Sequence, residues 1–471
     1  MFNFYFKRSL SFVSLLTLLT TNLLATFYEA EDEGTRPINS IQHIDQLPEE
    51  LHLYIFSFLN QEDTSPTAQT SQKWKRLMDD NQLWKAYARR AQIISKEDPF
   101  PEKNYKALVR EHCIFSFTDL GTLNGGTWSV PRGISYDGSV IVGQAADGAE
   151  QNQRRAFRWT AEKGMESLGT LNGGGESLVL GISANGSVIV GYADDGKAQY
   201  LDRTFRWTAE KGMESLGTLN GGSESWAWAI SADGSVIVGN AKSGVEQNQR
   251  RAFRWTAEKG MESLGNLNRG VSSIARGISY DGSVIVGYAT DGAAQDRQKA
   301  FRWTAEKGIE SLSILNGGSE SWAWGISADG LVIVGDTKEN NLDDQSWSRT
   351  SPRAFRWTAE KGIESLGILN NGEGSWALGV SADGVVIIGQ ACDGSRGNHM
   401  RASYWTAKKG MESVERVLAD KGLLPSQWIL TKVNAITPSG TVLIGEGTYT
   451  DTSNRTLTCA WRAVIPRANL F

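Results

Sequence analysis

Arg132, Leu180, Trp228, Arg276, Trp324 and Leu378 follow one another at intervals of 48, 48, 48, 48 and 54 residues. Each stands one place before the Gly or Ala of a short apolar run, as in "VPRG", "WAWA" and "ALGV". Arginine and tryptophan carry much of the energy in protein interfaces, and a position that mixes them with leucine has the chemistry to anchor a partner. The plainer alternative is that Trp228 and Trp324 fill space between repeats. Two places earlier in the same runs stand Val130, Leu178, Trp226, Ile274, Trp322 and Trp376. These are all apolar and read as core.

Other chemistry has little to build on. The four histidines, His43, His52, His112 and His399, are scattered and do not recur with the repeat. A catalytic histidine paired with a nucleophile is not expected. Cys113, Cys392 and Cys459 are odd in number and form no CxxC pair, so neither a disulfide framework nor a zinc site is expected. Asp137, Asp233, Asp281, Asp329 and Asp383 sit singly in "DG" turns, without the further oxygen ligands that calcium needs. No phosphate-cradling glycine loop or paired-carboxylate motif stands out. The expectation is a binding protein, not an enzyme, with no metal and no cofactor. The formal net charge of −5 gives no basic face for nucleic acid.

The elements that must position the six residues are legible from the repeat. Trp159, Trp207, Trp255 and Trp303 recur every 48 residues, followed by Trp357, Trp405 and Trp461. The glycine closing "VIVG" recurs at Gly143, Gly191, Gly239, Gly287, Gly335, Gly389 and Gly445. Both markers count seven units. Each unit holds four short runs rich in Val, Ile, Trp and Phe. In the third these are Trp226–Ser231 (A), Ser235–Asn240 (B), Ala252–Thr256 (C) and Met261–Leu267 (D). Glycine-containing turns such as "ADG" and "AEKG" join A to B and C to D. Four such runs make an antiparallel meander, and seven meanders stacked radially cover each other's faces. The fold predicted for residues 114–467 is therefore mostly β, a seven-bladed β-propeller. The first run, Phe117–Leu123, matches D, and the last, Cys459–Ile465, matches C. The N-terminal strand is thus expected to close the last blade.

Loop variation gives this ring a direction. The A–B and C–D links are short and nearly constant. The B–C links differ, from "AADGAEQNQR" to the long "DTKENNLDDQSWSRTSP", and the D–A links differ too. Varied loops on a rigid ring are where binding concentrates. The six Arg, Trp and Leu residues are expected at the channel mouth on that varied face, with the copied "FRWTAEKGMESLG" block as scaffold.

The N-terminal quarter is different. Residues 1–28 join Lys7 and Arg8 to an apolar stretch, Leu10 to Ala25, which reads as an export signal, with a short membrane anchor as alternative. Residues 29–41 read as a linker, 42–90 as a small helical domain and 91–113 as a linker helix. No stable membrane span is expected once the signal is removed. In "LPEELHLYIFSFLNQEDTSPTAQTSQKWKRLMDDNQLW", residues Leu47, Pro48, Leu51, Ile55, Leu59, Asp63, Ala68, Trp74, Leu83 and Trp84 fall where an F-box carries its markers. The segment resembles that family, apart from Pro66 where many members begin a helix with an apolar residue. The resemblance implies an all-α domain that binds a Skp1-like adaptor of a cullin-RING ubiquitin ligase, through Leu47, Pro48, Leu51, Ile55 and Leu59. The propeller would then bind the target protein. The repeats, carried by "SADGSVIVG", "RAFRWTAEKGMESLG" and "LADKGLLPSQWIL", resemble the HAF family of extracellular repeats, found mainly in bacteria. Together the two resemblances imply a bacterial effector, exported and acting in host cytoplasm. The alternative is an extracellular or periplasmic binding propeller with no role in ubiquitination.

Overall fold

The computed structural model describes Lys85 and residues 114–467, apart from 198–200, 248, 296, 313–317 and 339–350. The chain divides into two compact units, Met1–Asp63 and Thr64–Phe471, and every described residue belongs to the second. The export signal, the linkers and the F-box-like segment, with Leu47, Pro48, Leu51, Ile55 and Leu59, lie outside the described residues, except that Lys85 is helical.

The described residues form seven four-stranded antiparallel sheets. In the first blade the strands are A, Ser129–Ile134; B, Val140–Asp147; C, Gln153–Thr160; and D, Gly164–Ser167. Burial follows this order. Every residue of strand B is buried, because both of its faces meet a neighbouring blade, whereas D at the rim is half-exposed. The seventh blade takes A, B and C from Trp428–Ile436, Val442–Thr450 and Thr456–Val464. Its D strand is Ser116–Gly121, paired antiparallel with the last C strand so that Ser116 faces Val464. The ring closes with the N-terminal strand, as the repeat phase predicted.

The glycine of "VIVG" is dictated by crossing strands. A Cβ on Gly143 would stand 2.2 Å from the Val130 carbonyl and 2.9 Å from the Phe157 ring. Gly143 pairs with Phe157, and Phe157, Phe205, Phe253, Phe301 and Phe355 are all fully buried between blades. In the last blade Gly445 pairs with Trp461. Trp461 therefore occupies the phenylalanine place and not the place of Trp159, which Ala463 fills. The sequence reading had it two residues out of register.

Recurrent polar contacts join the blades. The serine that opens strand A is fully buried in six blades (Ser129, Ser177, Ser225, Ser273, Ser321 and Ser375). Ser225 Oγ accepts from Thr204 N of the preceding blade at 3.0 Å and donates to the Gly217 carbonyl at 2.9 Å. The seam is joined in the same way: Ala460 N donates to Ser129 Oγ, which donates to the Gly121 carbonyl. Between the sixth and seventh blades a short helix, α1 (Val414–Asp420), takes over this role. Its buried Glu415 accepts from Leu430 N at 3.2 Å and from Arg396 at 2.8 Å. The sequence reading did not include this helix.

On the A–B side, successive turns form a chain of six backbone hydrogen bonds of 2.9–3.1 Å, running from Tyr136 through Ala184, Ala232, Tyr280, Ala328 and Ala382 to Pro438. Pro438 has no N–H with which to reach Tyr136, so the chain stops at the seam. The aspartates of these turns are structural. Ser135 Oγ and Ser139 N both donate to Asp137 Oδ1, at 2.7 and 3.0 Å. Burial works against ionisation of Asp233 and Asp281, but donors from Ser231, Ser235, Ser279 and Ser283 outweigh it and hold both carboxyls below their usual range.

Candidate binding channel

Six of the seven A strands carry one register shift against B, and the seventh carries two. The extra residues are Arg132, Leu180, Trp228, Arg276, Trp324 and Leu378, the six singled out by spacing, joined in the last blade by Asn434 (and Thr431). A β-bulge re-aims the side chain of its extra residue. All seven of these side chains are half-buried at the inner strand of the ring. They stand at mid-strand and not at the mouth on the B–C side, where the loop argument put them. Asn434 escaped that argument because the last repeat has diverged around it, reading "KVNAI".

In three blades the bulge residue bonds to the one that follows the "VIVG" glycine of its own blade. Trp228 Nε1 donates to Asn240 Oδ1 at 2.6 Å, Trp324 Nε1 donates to Asp336, and an Arg276 amino group donates to the Tyr288 hydroxyl at 3.3 Å. Arg276 also lies over the Trp228 ring, 3.5 Å from its centroid, and 5.1 Å from that of Trp324. Tyr288 and Trp324 meet edge to face at 5.6 Å. One side of the channel is thus filled by a Trp–Arg–Trp stack with its indole donors satisfied inside the protein. The other side carries the smaller Leu180, Leu378 and Asn434, with Arg132.

Burial sets the electrostatics. It pushes Asp336 up to about 7, against the Trp324 hydrogen bond and the Lys338 charge, which pull it down. Burial lowers Arg276, opposed by Tyr288 and reinforced by the Arg132 charge. Lys432 is lowered by burial, opposed by Glu446 and again reinforced by Arg132. Arg132, Arg276 and Lys432 therefore share one field. Among the described residues no ion pair neutralises Arg132 or Arg276.

Two residues that close the A–B side were missed. Tyr136 and Tyr280 come from the turns of the first and fourth blades, yet their rings meet across the axis at 6.1 Å and 87°. Burial, then the neighbouring Tyr280, pushes Tyr136 up to about 12. The signal was available: five of the seven turns carry Ala or Pro at this place, and only these two carry Tyr.

The B–C side is less varied than its letters suggest. Asn124, Asn172, Asn220, Asn268 and Asn370 all adopt positive φ in the D–A links. Four of them donate at 2.8 Å to the aspartate that ends strand B: Asp147, Asp195, Asp291 and Asp393. Among the described residues, Val245, 75% exposed, and Val271, 48% exposed, are apolar side chains open to solvent between these fixed points. They flank Arg251, which pairs with Glu246 at 2.7 Å and donates to the Val271 carbonyl at 2.8 Å. Val130, Leu178 and Ile274 are buried as expected. Trp226 is only half-buried, because its indole reaches the preceding blade and donates to Asp202 at 2.8 Å.

Among the described residues no three of His, Cys, Asp and Glu converge as a metal site requires. No described helix is long and apolar enough to cross a membrane.

Residues 44–90 match the F-box-like family. A 53-residue stretch is 45% identical to the F-box/WD repeat-containing protein 7 of Drosophila melanogaster, covering 11% of this chain and 4% of that protein. Among solved structures, TolB from Acinetobacter baumannii is similar at TM-score 0.38 and 14% identity, over 58% of this chain and 62% of that one. A puromycin hydrolase is similar at TM-score 0.46 and 14% identity, over 70% of this chain and 51% of that one. Scores at this level carry no weight beyond general likeness. The chain joins an F-box-like segment at residues 44–90 to a seven-bladed β-propeller whose strands run from Ser116 to Val464.

Proposed function

We propose that this chain is the substrate-receptor subunit of a cullin-RING ubiquitin ligase and is itself non-catalytic. Its F-box-like segment binds a Skp1-like adaptor through Leu47, Pro48, Leu51, Ile55 and Leu59. Its propeller binds a target protein on the B–C side, around the exposed Val245 and Val271. One observation carries this reading: an F-box-like match and a seven-bladed ring occur in the same chain. The name of the fly relative joins an F-box to WD repeats, which agrees with it. The HAF-like repeats and the signal-like stretch at Leu10 to Ala25 support the further reading that the protein is a bacterial effector that acts in host cytoplasm. That same stretch favours a second reading, an envelope-associated binding propeller. Capture of the full-length chain from host cells, with mass spectrometry, separates the two. Recovery of a Skp1-like adaptor supports the receptor. Recovery of the chain at a bacterial envelope, with no adaptor bound in host lysate, contradicts it.

A further inference from the structure

On the A–B side of the bulge residues the channel holds a cavity of about 190 Å³. It opens broadly to the channel, and its walls come from four blades, with the apolar side chains of Ile134, Ile182, Trp228, Ile230 and Ile436, Leu180 at the bulge level, and polar atoms exposed between them. Gly133, Gly181, Ala229 and Ala435 keep the walls thin. A cavity of this size and lining accepts a molecule of roughly six to nine non-hydrogen atoms.

The cavity is not uniformly apolar at its edge. Gly133 and Ala435 line it, and the residue before each is a bulge residue, Arg132 and Asn434. Among the described residues, Arg132 Nε, Arg276 Nε and Asn434 Nδ2 are buried donors without a hydrogen-bond partner, and Gln144 Oε1, on strand B of the first blade, is a buried acceptor without one. A buried donor left unpaired is costly, and two on adjacent blades at the same depth invite one acceptor group between them. That acceptor carries negative charge, because Arg132 lies within the field of Arg276 and Lys432, the latter facing Glu446 as well, and among the described residues no carboxylate pairs with Arg132. It also has an apolar body. An apolar body suits the faces of Ile182 and Ile230 better than the oxygen atoms of phosphate or sulfate do.

We propose that the channel binds a small monocarboxylate, its carboxylate held by Arg132 and Asn434 and its apolar body in the cavity beside Leu180 and Trp228. Tyr136 and Tyr280 meet over the axis on the A–B side, so the ligand enters from the B–C side. This site is independent of adaptor binding and stands or falls apart from the receptor reading.

The test is titration of the full-length protein with benzoate, benzyl alcohol and inorganic phosphate, followed by calorimetry and Trp fluorescence. Benzoate is expected to bind one to one. Benzyl alcohol, which keeps the ring and loses the charge, should bind at least tenfold more weakly, and phosphate should not compete. Arg132→Leu should weaken benzoate at least tenfold, and Ala229→Leu, which fills the cavity, should abolish binding. If Arg132→Leu does not fold, Asn434→Ala supplies the same reading with a smaller loss. No benzoate binding to the folded wild type overturns the proposal. So does equal binding of benzoate and phosphate, or benzoate binding that survives both the polar and the cavity-filling substitutions.

Discussion

Replacing Ser225 by Ala removes one of the hydrogen-bonded links between blades without adding bulk. The side chain is fully buried. Its Oγ accepts from Thr204 N at 3.0 Å and donates to the Gly217 carbonyl at 2.9 Å. In the alanine variant the Thr204 N–H faces a methyl group, in a place that water does not reach. A buried donor stripped of its partner costs about 1–3 kcal/mol, and a carbonyl that loses one of its bonds costs less. The expected destabilisation is therefore about 2–4 kcal/mol. Ser215→Ala is the control, because Ser215 is exposed and its Oγ accepts only from Gly217 N at 3.2 Å. Its expected effect is within about 0.5 kcal/mol. Urea unfolding of both variants reads the difference. Hydrogen exchange at the Thr204 amide gives a local reading that does not depend on two-state behaviour of the whole ring. Equal midpoints for the two variants, with unchanged Thr204 protection, would refute the idea that these serines fasten one blade to the next.

Asp336 should make stability depend on pH in the direction opposite to an ordinary carboxylate. Its folded value is raised to about 7. It therefore contributes fully at pH below about 4, and that contribution is lost as pH rises through 7. Relative to Asp336→Asn, the wild type should lose up to about 4 kcal/mol between pH 4 and pH 8, measured by denaturant unfolding across that range. Gly239→Ala and Gly260→Ala separate collision from backbone strain. A Cβ on Gly239 would lie 2.0 Å from the Trp226 carbonyl, whereas Gly260 has φ +67° and nothing within 4 Å. The first should cost about 3 kcal/mol or more and the second about 1–2 kcal/mol, read by thermal unfolding. Tyr280→Ala removes the ring that helps bury Tyr136, so the Tyr136 hydroxyl should titrate below its present value of about 12, as followed by NMR of labelled tyrosine.

The fold was legible because its signals are local and repeated. Four runs per unit, glycine where φ must be positive, and an orphan N-terminal strand matching a last unit that lacks one specify seven blades and their closure. What escaped lies where contacts join residues far apart in sequence. The opening serine of strand A looks like a turn residue until the preceding blade is seen to donate to it. Trp461 was placed by counting tryptophans, yet strand register puts it opposite Gly445. The six spaced residues were recognised as a set, but their mid-strand depth depends on a bulge that letters alone do not display. The A–B side was read as uniform because its turns have constant length. Tyr136 and Tyr280 are 144 residues apart and meet only because a seven-bladed ring brings its first and fourth turns across one axis.

The central claim is that the N-terminal segment recruits a Skp1-like adaptor. It is tested most directly by titrating purified adaptor onto the full-length chain and onto a Leu51→Glu/Ile55→Glu variant whose propeller shows unchanged thermal unfolding. The receptor reading predicts a saturable one-to-one complex with the wild type and at least a hundredfold weaker binding for the variant. A folded wild type that binds no adaptor, or a variant that binds it equally well, contradicts the reading.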